Sequence, residues 1–134
     1  MVACLKIVGN IATGTIAQSK YLISLNVIPK LEVLLEKNKK IIRREACWVL
    51  SNLSAGSMEE IEAIFSQQSL VSKLIQMMRE DEVTIRSEIC YIFANSTEQG
   101  DAAKIAHFLA ELQYMKILVE NLYTDDKDLI YSVL

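Results

Sequence analysis

The sequence predicts an all-α fold made of repeated helical units, and three observations lead to this prediction. Only four of the 134 residues are glycine and one is proline, while 51% are apolar, a composition that favours helices over a turn-rich β fold. Residues 45–56 carry apolar side chains at helical spacing. A pattern in this stretch recurs twice more at almost constant distance, as expected for a helical solenoid.

The recurring pattern is clearest in the sequence EACWVLSNLSAG, residues 45–56. As a helix, this stretch places Glu45, Trp48 and Asn52 on one stripe, because offsets of three, four and seven residues share a face. The other side carries residues suited to packing: Ala46, Val49, Leu50 and Leu53. A tryptophan and a carboxamide on the less apolar face indicate a binding surface.

Three asparagines mark the same point in each copy of the pattern. They are Asn10, Asn52 and Asn95, and successive ones are 42 and 43 residues apart. Each follows, four positions earlier, a large or long residue: Lys6, Trp48 and Tyr91. A period near 42 is typical of helical solenoids, whose units bury their apolar surfaces by stacking on one another.

Glycines and helix-capping residues divide the chain into units of two short helices and one long helix. A glycine precedes each unit, and the first two units begin with capping boxes at Thr15 and Ser57. Pro29 suits the first turn of a second helix that ends near Lys37. The division gives a third helix at 1–14, complete units at 15–56 and 57–99, and a partial unit at 100–134. The other expected helices cover 15–25, 40–55, 57–67, 70–79, 83–97, 101–111, 114–123 and 127–134.

The two ends of the chain would expose apolar flanks that a capped solenoid covers, because the sequence starts on a third helix and stops inside another. We therefore expect either a piece of a longer protein or self-association through the exposed repeat ends. The net charge of −3 is mild. No apolar run reaches the length of a bilayer span, and the N-terminus lacks the features of a signal peptide.

The three cysteines, Cys4, Cys47 and Cys90, sit singly on apolar helix segments without paired spacing. This pattern predicts reduced thiols in a cytosolic or nuclear protein, with all three in the core. No cofactor or catalytic group is expected. His107 lacks zinc or triad spacing, and the outer glycines of residues 9–15 are not followed by the lysine of a phosphate loop.

A three-helix repeat near 42 residues with Trp-x-x-x-Asn on its third helix resembles the armadillo repeats of importin alpha. The resemblance is carried by Glu-Ala-Cys-Trp at 45–48, Ser-Asn at 51–52 and Ala-Gly at 55–56. Residues 9–15 are similar to the sixth repeat of that family, in which a basic residue, here Lys6, replaces the tryptophan. On this register 15–56 resembles the seventh repeat, 57–99 the eighth and 100–134 most of the ninth.

The resemblance implies a right-handed superhelical solenoid that works as a nuclear import adaptor. In this family, extended lysine- and arginine-rich cargo peptides lie in a concave groove lined by third helices, and repeats six to eight form the smaller binding region. It also implies shuttling between cytoplasm and nucleus. Importin beta and the export factor would bind through parts absent from this chain.

Ten residues are the predicted peptide-binding surface: Lys6, Asn10, Arg44, Glu45, Trp48, Ser51, Asn52, Glu88, Tyr91 and Asn95. A carboxamide both donates and accepts, which suits the unpaired backbone of an extended peptide. An indole face suits the methylenes and charge of lysine or arginine, and the Tyr91 ring should make a shallower slot. Glu45 and Glu88 have no lysine or arginine one helical turn away, so they are available to an incoming cation.

The resemblance also bears on the charged residues beside this surface. Lys6 and Arg44 would place positive charge in or beside the groove. The family often has an acidic residue where Ile16 stands, so a contact with a cargo arginine is expected to be lost.

Two alternatives to a transport role remain. One is a general armadillo scaffold for another extended peptide or partner, as in beta-catenin, which prefers acidic ligands; the other is a purely structural spacer. The basic run KNKKIIRR at 37–44 could contact nucleic acid, but a solvated turn between helices is the commoner explanation.

Overall fold

The computed structural model describes residues 1–99, 110 and 114–121, and their regular secondary structure is helical throughout. Eight helices lie in these ranges: α1 (Val2–Ala12), α2 (Ile16–Ser24), α3 (Val27–Leu34), α4 (Lys40–Ser54), α5 (Met58–Phe65), α6 (Gln68–Glu80), α7 (Val83–Gln99) and α8 (Tyr114–Asn121). None of the helices in the described part of the chain has the length and apolar character to cross a membrane.

Helices of the same kind stack on one another, which confirms the predicted all-α solenoid. The third helices α1, α4 and α7 lie side by side, and α4 packs against both of the others. The first helices α2 and α5 are in contact, and the second helix α6 packs against α8. The phenol ring of Tyr114 on α8 stacks on Phe93 of α7, with the ring centroids 4.0 Å apart.

The predicted packing face of α4 forms the centre of the core. All four residues of this face have no exposed surface: Ala46, Val49, Leu50 and Leu53. They are buried because α4 lies between two other third helices. Full burial of a large aliphatic side chain stabilises the fold by about 1.5–3 kcal/mol, so this face largely determines how the units stack.

The prediction that all three cysteines lie in the core is wrong for one of them. Cys47 and Cys90 are buried, and burial raises the pKa of the Cys47 thiol far above its usual value. Cys4 is exposed. It lies on α1, which has a third helix on one side only within the described residues, so its apolar surroundings in the sequence do not translate into burial.

The capping boxes form as predicted. The Gln18 side chain accepts a hydrogen bond from the Thr15 N–H at 2.8 Å, and the Glu60 carboxylate accepts one from the Ser57 N–H at 2.9 Å. Pro29 lies in the first turn of α3, as expected. A β-carbon at Gly14 would collide with the Gln18 amide oxygen, so this glycine leaves room for the first box.

Some helix ends differ from the prediction by a few residues. α1 ends at Ala12, and Gly14 does not take up a positive φ; that conformation belongs to Asn26, with φ 54°, between α2 and α3. α6 is longer at both ends than expected. The predicted helix 114–123 is observed as Tyr114–Asn121, whereas the helices predicted at 101–111 and 127–134 lie outside the described residues.

Polar contacts also join successive units. The Arg43 guanidinium pairs with both oxygens of Asp81, with Nε–Oδ2 and Nη2–Oδ1 distances of 2.8 Å. Lys40 of the basic run pairs with Glu82. On the first helices, the Ser19 hydroxyl of α2 donates to Oε1 of Glu60 at 2.5 Å, although Glu60 has no exposed surface. These bonds add to the apolar contacts between units.

We expect Glu60→Gln to destabilise the fold by about 1–3 kcal/mol, because the amide nitrogen would face groups that donate hydrogen bonds. Burial acts to raise the pKa of Glu60, but the hydrogen bonds from Ser19, Ser57 and the backbone outweigh it and lower the pKa below the ordinary 4.5. A carboxylate with a lowered folded-state pKa stabilises above the unfolded-state pKa, and this stabilisation is lost as the pH falls through the folded-state pKa.

Urea unfolding at pH 7 and near pH 3 measures both effects. The wild type should lose stability toward pH 3 by a larger margin than Glu60→Gln does. The matched control is Glu59→Gln, one residue earlier, whose carboxylate is exposed and pairs with Lys20 on the surface. Equal unfolding midpoints for the two variants would contradict a structural role for the buried carboxylate.

Candidate functional site

Six of the ten predicted site residues line one surface cavity of about 290 Å³. All three third helices contribute to it: Lys6 and Asn10 come from α1, Arg44, Glu45 and Trp48 from α4, and Glu88 from α7. These residues come together because the helices stack in register and each presents the same stripe.

The remaining predicted residues lie beside this cavity on the same helices. Ser51 is buried, and its hydroxyl lies 2.9 Å from the Trp48 carbonyl oxygen and 3.3 Å from Oε2 of Glu88. It therefore connects α4 to α7 behind the cavity. Tyr91 is 43% exposed one helical turn beyond Glu88. The ring does not line the cavity, and the shallow slot expected at Tyr91 stays a prediction.

The asparagine side chains join one third helix to the next. Nδ2 of Asn52 donates to the Gly9 carbonyl oxygen at 3.2 Å, and Nδ2 of Asn95 donates to the Ser51 carbonyl oxygen at 3.0 Å. Each carbonyl belongs to the residue just before the asparagine of the preceding unit. Sequence reasoning missed these bonds, since it considered both polar groups of the carboxamide to be available to a ligand.

Each joined carboxamide keeps part of its hydrogen-bonding capacity. Within the described residues, Oδ1 of Asn52 and Oδ1 of Asn95 accept no hydrogen bond, and the second N–H of each amide is also available. Asn10 is exposed, and its side chain has no hydrogen-bond partner in the described part of the chain. In Asn52 and Asn95, the bond to the neighbouring helix orients the carboxamide and leaves its oxygen and second N–H available.

Trp48 is half-buried, with one edge of its ring against Gly9 of α1. A β-carbon at residue 9 would lie 2.6 Å from Cε3 and 2.7 Å from Cη2 of the indole, and closer still to Cζ3. Only glycine leaves room for the ring there. Sequence reasoning did not identify this contact, although the residue before each asparagine is small: Gly9, Ser51 and Ala94.

In the cavity, the acidic side chains are more deeply buried than the basic side chains. Glu45 is only 5% exposed and Glu88 is half-buried, whereas Lys6 and Arg44 are exposed. Burial raises the pKa of Glu88; the Ser51 hydroxyl and the charge of Arg44 oppose this, and the charge of Glu45 adds to it. No side chain of the described ranges forms an ion pair with any of the four charged residues.

A second cavity, of about 360 Å³, lies between α3, α4 and α6. Its charged groups are already paired: Arg43 with Asp81, and Lys73 with Glu36 at 2.5 Å. Glu80 accepts a hydrogen bond from Gln76. Since these contacts join successive units, this cavity is a feature of the stack. Among the described residues, no group of side chains could hold a metal ion.

We expect Gly9→Ala to push the Trp48 ring out of its seat on α1. Trp48 is the only tryptophan of the chain, so its fluorescence reports the change directly. The emission maximum should shift to the red and iodide quenching should increase, because the ring becomes more exposed. Gly56→Ala is the matched control, since its β-carbon would meet nothing closer than 3.1 Å. An unchanged Trp48 spectrum in Gly9→Ala would contradict the close contact.

Comparison with known proteins identifies the repeat. Residues 15–55 match the family model of the Armadillo/beta-catenin-like repeat. Importin subunit alpha-1a of Oryza sativa subsp. japonica is 42% identical over 67 residues, which are 49% of this chain and 13% of that protein. Importin subunit alpha-2 of the same organism is 33% identical over 61 residues, which are 46% of this chain and 11% of that protein.

Solved structures show the same fold over nearly the whole chain. The crystal structure of an engineered protein superposes with a TM-score of 0.90 at 22% identity, covering 98% of this chain and 53% of the other. A designed armadillo repeat protein in complex with the peptide (KR)4 superposes with a TM-score of 0.87 at 22% identity, covering 96% and 53%. The chain therefore has an armadillo-type fold with one matched armadillo repeat at residues 15–55, and the curated relatives that it resembles over about half of its length are importin alpha subunits.

Proposed function

We propose that this chain is the peptide-binding part of a nuclear import adaptor and that its third helices bind an extended lysine- and arginine-rich peptide. One observation carries the proposal: the cavity places the Trp48 ring beside two carboxylates, Glu45 and Glu88, with oriented asparagines on the same surface. The role is that of an adaptor and not of an enzyme.

The cavity suits the side chain of a lysine or arginine. Methylene groups of the ligand lie against the free part of the indole face, and the charge interacts with the ring for about 0.5–2 kcal/mol. The buried position of Glu45 increases its attraction for a cation, because less water screens it. In the described part of the chain Glu45 has no partner of its own, so a ligand cation would be its first.

The asparagines suit the backbone of the same ligand. Oδ1 of Asn52 and Oδ1 of Asn95 accept from peptide N–H groups, while the bonds to the preceding third helix hold both carboxamides in place. Asn10 extends the row by one unit. A peptide N–H left without a partner costs about 1–3 kcal/mol, so each carboxamide selects for an extended main chain.

Related proteins support this proposal. The curated relatives are importin alpha subunits, although the aligned residues are only 13% and 11% of their lengths. A structural neighbour is a designed armadillo protein in complex with (KR)4, an alternating lysine–arginine peptide. Shuttling between cytoplasm and nucleus, and association with importin beta and an export factor through other parts of a longer protein, belong to the same proposal.

A second candidate is a general armadillo scaffold for an extended peptide of different charge. Lys6 and Arg44 favour it, since both are exposed, have no ion-pair partner among the described residues and would attract an acidic ligand. The sign of the ligand charge distinguishes the two functions: tight binding of (KR)4 supports the import adaptor, and preference for a polyglutamate peptide of equal length supports the scaffold.

We expect Asn10→Ala to weaken binding of fluorescein-labelled (KR)4 by about 1–3 kcal/mol without lowering the melting temperature, because the Asn10 side chain is exposed and has no hydrogen-bond partner among the described residues. Asn52→Ala should lose affinity and also stability, since its bond to the Gly9 carbonyl is broken. Fluorescence anisotropy and thermal unfolding measure the two effects. The control is Gln68→Ala, an exposed amide on α6. Equal affinity of wild type, Asn10→Ala and Trp48→Ala would refute peptide binding at this surface.

Glu88→Gln should weaken (KR)4 binding without lowering the melting temperature at pH 7. A carboxylate whose pKa is raised in the folded state destabilises the fold once it is ionised, so the neutral amide removes a cost. Its amide oxygen can still accept from Ser51. Glu82→Gln is the matched control, because Glu82 immediately precedes the same helix and pairs with Lys40 outside the cavity. A loss of stability in Glu88→Gln equal to its loss of affinity would indicate a structural role.

A further inference from the structure

The cavity contains as many cations as anions. Lys6 and Arg44 line it together with Glu45 and Glu88, so its formal charge is zero. A site for purely cationic ligands gains nothing from two lysine or arginine side chains at its edge, because they repel such a ligand. The two cations therefore call for an explanation of their own.

Intrachain pairing does not explain these cations. Elsewhere in the described ranges, several basic side chains that face a neighbouring unit are paired with its acids, as Arg43 is with Asp81 and Lys73 with Glu36. Lys6 and Arg44 share a cavity with two glutamates, yet neither lies within ion-pair distance of an acid in the described part of the chain. The carboxylates lie deep and the cations lie at the rim, so the two signs remain apart.

We propose that this cavity selects a peptide segment of mixed charge, in which a lysine or arginine lies close to an aspartate or glutamate. The basic side chain enters between Trp48 and the two glutamates, and the acidic side chain pairs with Lys6 or Arg44 at the rim. The inference rests on the proposed function and specifies its ligand: the preferred sequence is basic overall but carries an acidic residue at a defined place.

The geometry of an extended peptide sets that place. Side chains of residues i and i+2 point to the same side of an extended chain, and those of i and i+1 point to opposite sides. An acidic residue two positions from the bound cation therefore shares the side that faces the cavity. One position away, it would point to solvent or toward the neighbouring slot. We expect the preference for acid to alternate along the peptide.

Matched peptides isolate this charge effect. Each carries one substitution in the central four positions of (KR)4, either glutamate or the neutral glutamine, and the measured quantity is the ratio of the two dissociation constants, Kd(Gln)/Kd(Glu). The net charge of the chain is −3, so unspecific electrostatics make the glutamate peptide the weaker ligand and the ratio less than one. We expect a ratio of about two to five at alternate positions, the size of one exposed ion pair.

Variants of Lys6 and Arg44 test whether these two residues cause the preference for glutamate. In the double variant Lys6→Gln/Arg44→Gln, the ratio should fall below one at every position, while the affinity for unsubstituted (KR)4 should rise. The matched control is Lys37→Gln/Lys39→Gln, which removes the same charge from an exposed turn outside the cavity and should keep the wild-type ratios. All four substituted residues are exposed, so circular dichroism should show unchanged folding.

The outcomes separate the inference from the function on which it rests. If (KR)4 binds but glutamine is preferred at every position, the mixed-charge inference is wrong and the peptide-binding function stands. A ratio above one that persists in the double rim variant also overturns the inference, because the acid would then be bound elsewhere. If the wild type binds none of the peptides, both proposals fail together.

Discussion

The side-by-side stacking of the third helices is the constraint on which the rest of the structure depends. α4 packs against α1 and α7 at once, and its residues Ala46, Val49 and Leu50 are completely buried. Side chains that the stack does not use then emerge on a common surface, because each helix follows the same register. The cavity is a product of that stack: no helix supplies more than three of its six lining residues.

The asparagines connect this stacking to the proposed recognition of a peptide. In Asn52 and Asn95, one N–H of the carboxamide bonds to a carbonyl of the preceding third helix, and the oxygen remains available to a ligand. A side chain held by such a bond loses little further freedom when a peptide binds, so more of the contact energy appears as affinity. An asparagine at this position can therefore contribute both to the stacking of the helices and to peptide binding. Mutation of Asn52 alone cannot separate these two contributions.

Features that depend on neighbouring residues in the chain were predictable from the sequence, and features that depend on distant residues were not. The capping boxes at Thr15 and Ser57 each involve residues three positions apart, and the repeat period brought together six of the ten predicted site residues. The contact of Gly9 with Trp48 and the bond of Ser19 to Glu60 join residues about 40 positions apart. Their geometry depends on how closely the units approach, and a pattern within one unit does not contain that information.

The placement of charge in the cavity lowers the stability of the fold in favour of binding. Glu45 is 5% exposed without an ion pair in the described part of the chain, and burial disfavours the charged form of Glu88. The ionised Glu88 carboxylate therefore costs folding free energy, and the core of α4 must offset this cost. A neutral residue of similar size at this position would suit the stack better. Carboxylates at these two positions make physical sense if a cation from outside the described chain completes them, and the exposed rim cations then determine which peptides can deliver it.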